Sequence, residues 1–118
     1  MEDCIFCKII KGEIPSAFVY QDENVLAFND INPQAPIHII VVPKYHVANI
    51  LEANKEIIEN VFNAINKIAK EKEIDKTGFR VITNCGKDAG QTVNHLHFHI
   101  LARNKTWRKN SLDIVYKP

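Results

Sequence analysis

Three of the chain's five histidines alternate in the run His95-Leu96-His97-Phe98-His99-Ile100. In an extended strand successive side chains point to opposite faces. The spacing therefore predicts three imidazoles on one face and Leu96, Phe98 and Ile100 on the other. Same-face neighbours in a strand lie about 6.6 Å apart, near enough for all three rings to serve one site. A neutral imidazole, with an unperturbed pKa of about 6.5, can act as nucleophile, hydrogen-bond donor or metal ligand at pH 7. Two other uses stay open: satisfied histidines on a sheet surface, and a metal site built on the triplet alone.

The segment before the triplet is Asn84-Cys85-Gly86-Lys87-Asp88-Ala89-Gly90-Gln91-Thr92-Val93. Its two glycines permit tight turns whose amides can converge on an anion, and Gln91 and Thr92 add side-chain donors. A candidate phosphate cradle and a plain strand connection both fit. It is not a P-loop, because Gly86-Lys87 lacks the required spacing and the following Ser or Thr. Cys4-Ile5-Phe6-Cys7 has the two-residue gap of a zinc knuckle. A redox role fits poorly, since no strand precedes the pair and no thioredoxin-like pattern follows it. The alternative is two buried thiols packing as small apolar groups. Cys85 has no evident partner.

These residues need a scaffold. Strand-like runs are expected at 17–21 and 25–29, joined by Asp22-Glu23-Asn24 as a hairpin, and at 37–42, 79–84 and 94–102. Residues 37–42 are apolar on both faces apart from His38, which places them centrally in a sheet. Ile57, Ile58, Val61, Phe62, Ala64, Ile65, Ile68 and Ala69 recur with helical spacing behind Asn54, an expected N-cap. The apolar arc spans roughly 160° at about 100° per residue, more than a one-face stripe needs. The helix is either deeply seated or packed both on its own sheet and on a second subunit.

Composition bounds the function. A chain of 118 residues with 46% hydrophobic and 25% charged residues has the makeup of one globular domain. With 15 basic and 14 acidic side chains the formal net charge is +1, which argues against broad electrostatic binding of nucleic acid. Aromatic residues are 8%, so no large stacking platform is implied. Met1-Glu2-Asp3-Cys4 does not read as a signal peptide, and no apolar run approaches the ~20 residues of a membrane span. An odd count of three cysteines fits a cytoplasmic protein with reduced thiols.

Gly90-Gln91-Thr92-Val93 followed by His95-Leu96-His97-Phe98-His99-Ile100 resembles the signature of the histidine-triad (HIT) nucleotide hydrolases and transferases. Ile5-Phe6-Cys7-Lys8-Ile9-Ile10, Gly12-Glu13-Ile14-Pro15, the run from Leu26 to Pro36, Ile37-His38 and Val42-Pro43-Lys44-Tyr45-His46 are similar to the Hint branch. The resemblance implies an α+β HIT-like fold, a five-stranded antiparallel sheet with one long helix, whose sheets join across a homodimer. It implies one HIT domain over 1–118, with its core at 4–103 and a C-terminal tail at 104–118. The activity implied is hydrolysis of purine nucleoside 5′-phosphoramidates through a nucleotidyl-histidine. The runners-up are a dinucleoside polyphosphate hydrolase or nucleotidyl transferase, and a purine-nucleotide-binding regulatory module.

The same resemblance assigns roles. His97 is the nucleophile, and its other nitrogen must keep a proton, with a backbone carbonyl as the expected acceptor. His99 binds phosphoryl oxygens, Gln91 and Thr92 hold the phosphoryl and leaving-group side, and His38 tunes the triad. Asp30 takes the ribose hydroxyls. Phe6, Ile9, Phe28 and Ile31 flank the base, Asn29 adds a contact, and Asn84 reaches sugar or phosphate. Gly90 and Val93 complete the nucleotide-binding set. Cys4, Cys7, His46 and His95 form a closed structural zinc site, and the chemical step needs no cofactor. The Hint branch often has Ser where Thr92 stands and His where Asn29 stands; Gln-Thr before the triad is also similar to the Fhit branch. The tail from Arg103 onward matches poorly, and Trp107 is either a pocket residue or a tail anchor.

Overall fold

The computed structural model describes residues 3–103. Helix α1 (Ile5–Ile10) leads to strands β1 (Phe18–Gln21), β2 (Val25–Asn29) and β3 (Ile37–Pro43). The long helix α2 (Lys55–Glu71) follows, then β4 (Arg80–Ile82) and β5 (Phe98–Ala102). The five strands form one antiparallel sheet in the order β1-β2-β3-β5-β4. The fold is α+β, as the sequence implies.

Local chemistry sets the joints. At the β1–β2 turn Asp22 Oδ1 accepts the amides of Asn24 and Val25, both at 2.8 Å, and Tyr20 donates its hydroxyl to Oδ2 at 2.6 Å. These bonds make the three-residue connection a side-chain-closed turn. Asn54 caps α2 by accepting the Ile57 amide at 2.9 Å, which satisfies one of the helix's orphan donors.

The alternation of side chains splits the core into two layers. Val25, Ala27, Ile39, Val41, Phe98, Ile100 and Ala102 pack with Ile57, Val61, Ala64, Ile65, Ile68 and Ala69 of α2. On the other face Leu26, Phe28, Ile40 and Val42 pack with Phe6 and Ile9 of α1. Each fully buried Val, Leu or Ile among them contributes about 1.5–3 kcal/mol. Both faces of β3 are covered, and this is why its sequence is apolar at nearly every position. His38 and His99 belong to the α1 face, opposite the residues that meet α2.

Three expectations change, and the structure adds one element that no expectation covered: Ile5–Ile10 is a short helix, which helical periodicity does not reveal because six residues make fewer than two turns. The triad strand is shorter than 94–102: β5 begins at Phe98, so His95 lies in a bend and His97 in the irregular segment just before the strand. The fourth strand contracts from 79–84 to Arg80–Ile82. The apolar arc of α2 is narrower in burial than in composition, since Ile58 is half-buried and Phe62 is 53% exposed. The tail at 104–118 and Trp107 lie outside the described residues. Among the described residues no helix is long and apolar enough to cross a membrane.

Candidate functional site

Hydrogen bonds to backbone groups fix which nitrogen carries the proton in His38, His95 and His97, and through His38 in His99. His97 Nδ1 lies 2.7 Å from the carbonyl oxygen of His95. A carbonyl only accepts, so Nδ1 holds the proton and Nε2 keeps its lone pair. Burial pulls the His97 pKa below its ordinary value, although the His95 carbonyl and Asp30 act the other way. The ring is therefore neutral at pH 7, with a basic nitrogen available. It is 7% exposed, set edge-on to Phe6 at 5.0 Å and to His99 at 5.2 Å between ring centroids.

A second chain of bonds runs beneath it. The backbone amide of Gln34 donates to His38 Nδ1 at 3.0 Å, which forces the His38 proton onto Nε2. That proton is donated to His99 Nδ1 at 2.9 Å, and the Asp30 carboxylate lies alongside with Oδ2 3.3 Å from the same nitrogen. His99, accepting at Nδ1, then carries its own proton on Nε2. Burial lowers the pKa of His38, against the pull of Asp30. Burial, with His97 and His38 alongside, brings His99 to about 4. His38 and His99 are thus joined by a hydrogen bond, and His97 packs edge-on against His99 with its own proton committed to the His95 carbonyl.

Cys4, Cys7, His46 and His95 bring one ligand atom each to within 4.8 Å of one another. His95 Nε2 donates to the Pro43 carbonyl at 2.8 Å, leaving Nδ1 as a free base toward the sulfurs. The sulfur–nitrogen separations are 3.3 Å for Cys4–His95, 3.6 Å for Cys7–His95 and 3.2 Å for Cys7–His46. A tetrahedron with metal–sulfur bonds near 2.3 Å and metal–nitrogen bonds near 2.0 Å has sulfur–nitrogen edges of about 3.5 Å. The donor set therefore fits a tetrahedral metal ion. Burial, with Cys4 adjacent, raises the Cys7 pKa, so a bound cation is what would stabilise two thiolates there. Asp30, His38 and His99 also cluster, yet they do not suit a metal. His38 already accepts at Nδ1 and must keep its proton on Nε2, the nitrogen that faces the cluster.

The loop ahead of the triad closes on itself. Gln91 Oε1 accepts the Gly86 amide at 2.8 Å, while its Nε2 donates to the carbonyls of Ala48 at 2.7 Å and Val93 at 2.9 Å. Gly86 and Gly90 have φ of +90° and +83°, a region that side chains disfavour. The Gly90 amide donates to Lys87 and the Gln91 amide to Gly86. Convergence of the glycine amides on an anion is thus corrected: both are committed to the turn, and the Gln91 side chain braces the loop. Thr92 is exposed beside a cavity of about 420 Å³, lined also by Asp3, Cys4, Ile5, His46, Val93 and Asn94.

Of the residues expected around a nucleoside, Phe6, Ile9 and Phe28 share one buried cluster, with Val93 packed against it. Asp30 follows β2, where Oδ1 takes the Asn32 amide at 2.8 Å and Oδ2 faces His38. Asn84 is half-buried just beyond β4. Asn29 is exposed, and Ile31 is 91% exposed outside the cluster that holds the two phenylalanines. Three supporting groups have no signal in the sequence: the Gln34 amide, the Pro43 carbonyl and the Thr83 hydroxyl, which donates to the His97 carbonyl at 2.8 Å. Two are backbone atoms that every residue carries, and threonine after a strand has no signature.

Fold and site together define a two-layer α+β protein with a neutral histidine relay on one sheet face, bordered by a cysteine–histidine metal-type cluster. The pattern of the HIT domain matches residues 11–106. A histidine triad protein from Clostridium difficile is 56% identical and superposes with a TM-score of 0.84, covering 93% of this chain and 98% of that one. A HIT family hydrolase from Clostridium thermocellum is 48% identical with a TM-score of 0.84, covering 92% and 97%. A histidine triad nucleotide-binding protein from Candida albicans is 36% identical with a TM-score of 0.79, covering 83% and 73%. The chain belongs to the HIT family.

Proposed function

We propose that the protein hydrolyses purine nucleoside 5′-phosphoramidates through a covalent nucleotidyl-His97. The observation that carries this reading is the 2.7 Å bond from His97 Nδ1 to the His95 carbonyl, which leaves Nε2 unprotonated in a buried ring. Nε2 attacks the α-phosphorus, a P–N bond to histidine forms, and the bond to the amine breaks. The departing nitrogen takes a proton from solvent. Water then attacks the same phosphorus, the bond to Nε2 breaks and the water's proton passes to solvent, restoring neutral His97 and releasing the nucleoside monophosphate. His99 Nε2–H donates to a phosphoryl oxygen as charge builds there. Asp30 holds the ribose hydroxyls, while Phe6, Ile9 and Phe28 flank the base. Membership of the HIT family and likeness to a hydrolase and to a nucleotide-binding protein support a nucleotide substrate.

Zinc is the ion proposed for Cys4, Cys7, His46 and His95. With four protein ligands it has no open position, so the chemistry it supplies is structural cross-linking of α1 to the β3 end and the triad segment. The chain is read as one domain with its core at 4–103. It forms a homodimer through α2 and a sheet edge, supported by the exposed Phe62 and the exposed Val81 on edge strand β4. Light scattering should give twice the chain mass, and a monomer at micromolar concentration would refute the dimer. A cytoplasmic location accords with three free cysteines among the described residues.

The deciding experiment is a substrate panel. Rapid release of the monophosphate from adenosine 5′-phosphoramidates, with slow cleavage of diadenosine polyphosphates, supports the reading. The reverse preference assigns the polyphosphate hydrolase. Monophosphate binding without turnover of either assigns a binding module.

A further inference from the structure

His38 Nε2–H donates to His99 of the triad and lies in the field of a carboxylate outside it, that of Asp30. The Gln34 amide holds the ring in a single tautomer, so its one proton is donated to His99 Nδ1 at 2.9 Å, while the Asp30 carboxylate pulls on it electrostatically with Oδ2 3.3 Å from the same nitrogen. His38 is 3% exposed and His99 is 5% exposed, so both rings are shielded from bulk solvent. Asp30 also reaches outward: its side chain is 17% exposed, and Oδ1 is already engaged by the Asn32 amide. Oδ2 is therefore the oxygen through which a ligand at Asp30 would be felt.

We infer that the Asp30–His38–His99 chain transmits sugar recognition to the phosphoryl site, so that ribose hydroxyls raise the rate of the chemical step and not only affinity. The inference rests on the reading above, in which Asp30 takes the hydroxyls and His99 serves the phosphate. Two hydroxyls donating to the Asp30 carboxylate reduce its pull on the His38 proton. That proton then sits more fully on the bond to His99 Nδ1. Hydrogen bonds in a chain polarise one another, so a stronger bond accepted at Nδ1 makes His99 Nε2–H a stronger donor. The donor is strengthened where negative charge develops on the phosphoryl oxygens, and interactions stronger in the transition state raise kcat. A 2′,3′-dideoxy substrate leaves the carboxylate free to pull on the His38 proton. His38 is thus a positioning residue that couples two subsites.

The test is a cycle of substrate against variant. Adenosine 5′-phosphoramidate and its 2′,3′-dideoxy analogue are compared in the wild type and in His38→Asn. Asparagine keeps an acceptor near the Nδ1 position and removes the Nε2 donor. In the wild type, loss of the hydroxyls should lower kcat by about tenfold, beyond any rise in KM. In His38→Asn the two substrates should agree in kcat within about twofold, with the KM difference retained. A second readout does not depend on turnover or on the variant folding. The nitrogen-15 shift of His99 Nδ1 should move on binding adenosine monophosphate and stay in place on binding 2′,3′-dideoxyadenosine monophosphate. Equal kcat values in the wild type, an undiminished kcat ratio in His38→Asn, or equal His99 shifts for the two nucleotides would overturn the inference. Failure of the underlying reading shows elsewhere, as the absence of a nucleotidyl-enzyme with any phosphoramidate.

Discussion

His95 and His97 face each other through unlike groups: the His97 ring donates from Nδ1 to the His95 backbone carbonyl, while the His95 ring turns away toward two sulfurs. One residue thus supplies both the acceptor that fixes a tautomer and a ligand for the cysteine cluster. Phe6 reinforces the pairing, since its ring meets His95 at 5.9 Å and His97 at 5.0 Å between centroids. The helix that carries Phe6 also carries Cys7. The cysteine–histidine cluster and the His97 ring are therefore neighbours by construction.

Replacing His97 tests the nucleophile. His97→Asn should lower kcat by at least about a thousandfold, while nucleoside monophosphate binding changes less than about fivefold. Mass spectrometry of quenched wild-type enzyme should show a nucleotidyl adduct that the variant lacks. Activity within about tenfold of wild type would assign the attack to another group.

Removing the metal ligands tests the cluster. Elemental analysis should give about one zinc per chain, and Cys4→Ser with Cys7→Ser should abolish it. The doubly substituted protein should melt lower and bind nucleotide more weakly, because α1 brings Phe6 and Ile9 to the site. Single-turnover rates at saturating substrate should fall far less than affinity, since the ion is not asked to activate water. A zinc-free protein whose melting does not respond to added zinc would refute the site.

Thr83 offers a smaller, sharper change. Its hydroxyl donates to the His97 carbonyl at 2.8 Å, just past the Ile82–His99 pairing, which is the last register pair of the β4–β5 ladder toward His97. Thr83→Val keeps the shape, removes the donor and leaves that carbonyl short of a partner, at a cost of about 1–3 kcal/mol in stability. Thr83→Ser should restore most of it. If loss of this bond also loosens the ring, valine lowers kcat severalfold with KM unchanged. Equal melting temperatures for all three proteins would show the bond to be idle.

Acid should destabilise the fold in a defined window. The His38, His97 and His99 pKa values are all lowered by burial, and His99 lies at about 4. Between that value and the unfolded value of about 6.5, the unfolded chain binds protons that the folded chain refuses. Stability is therefore complete above about pH 6.5 and declines as pH falls toward about 4, by up to about 3 kcal/mol for His99 alone. Chelator-treated protein should show a falling melting temperature across this window, with a shallower slope in His99→Asn. A flat profile would contradict neutral burial.

The sequence by itself determined the long helix with its Asn54 cap, the central strand and the hairpin at Asp22, because periodicity and turn chemistry are local. It also selected the histidines and the cysteine pair, because few residue types can do their chemistry and their spacing is unusual. The fate of Gln91 was not legible: a free amide reads as a donor for phosphate, yet its partners are the backbone groups of Gly86, Ala48 and Val93, one of them 43 residues away. Nor could the sequence show that the triad needs only a partial strand, since His95 and His97 are oriented by carbonyls and not by a ladder. Tertiary structure decided the proton positions. A tautomer depends on which backbone group meets each ring, and the Pro43 carbonyl, the His95 carbonyl and the Gln34 amide reach those rings only after the chain has folded.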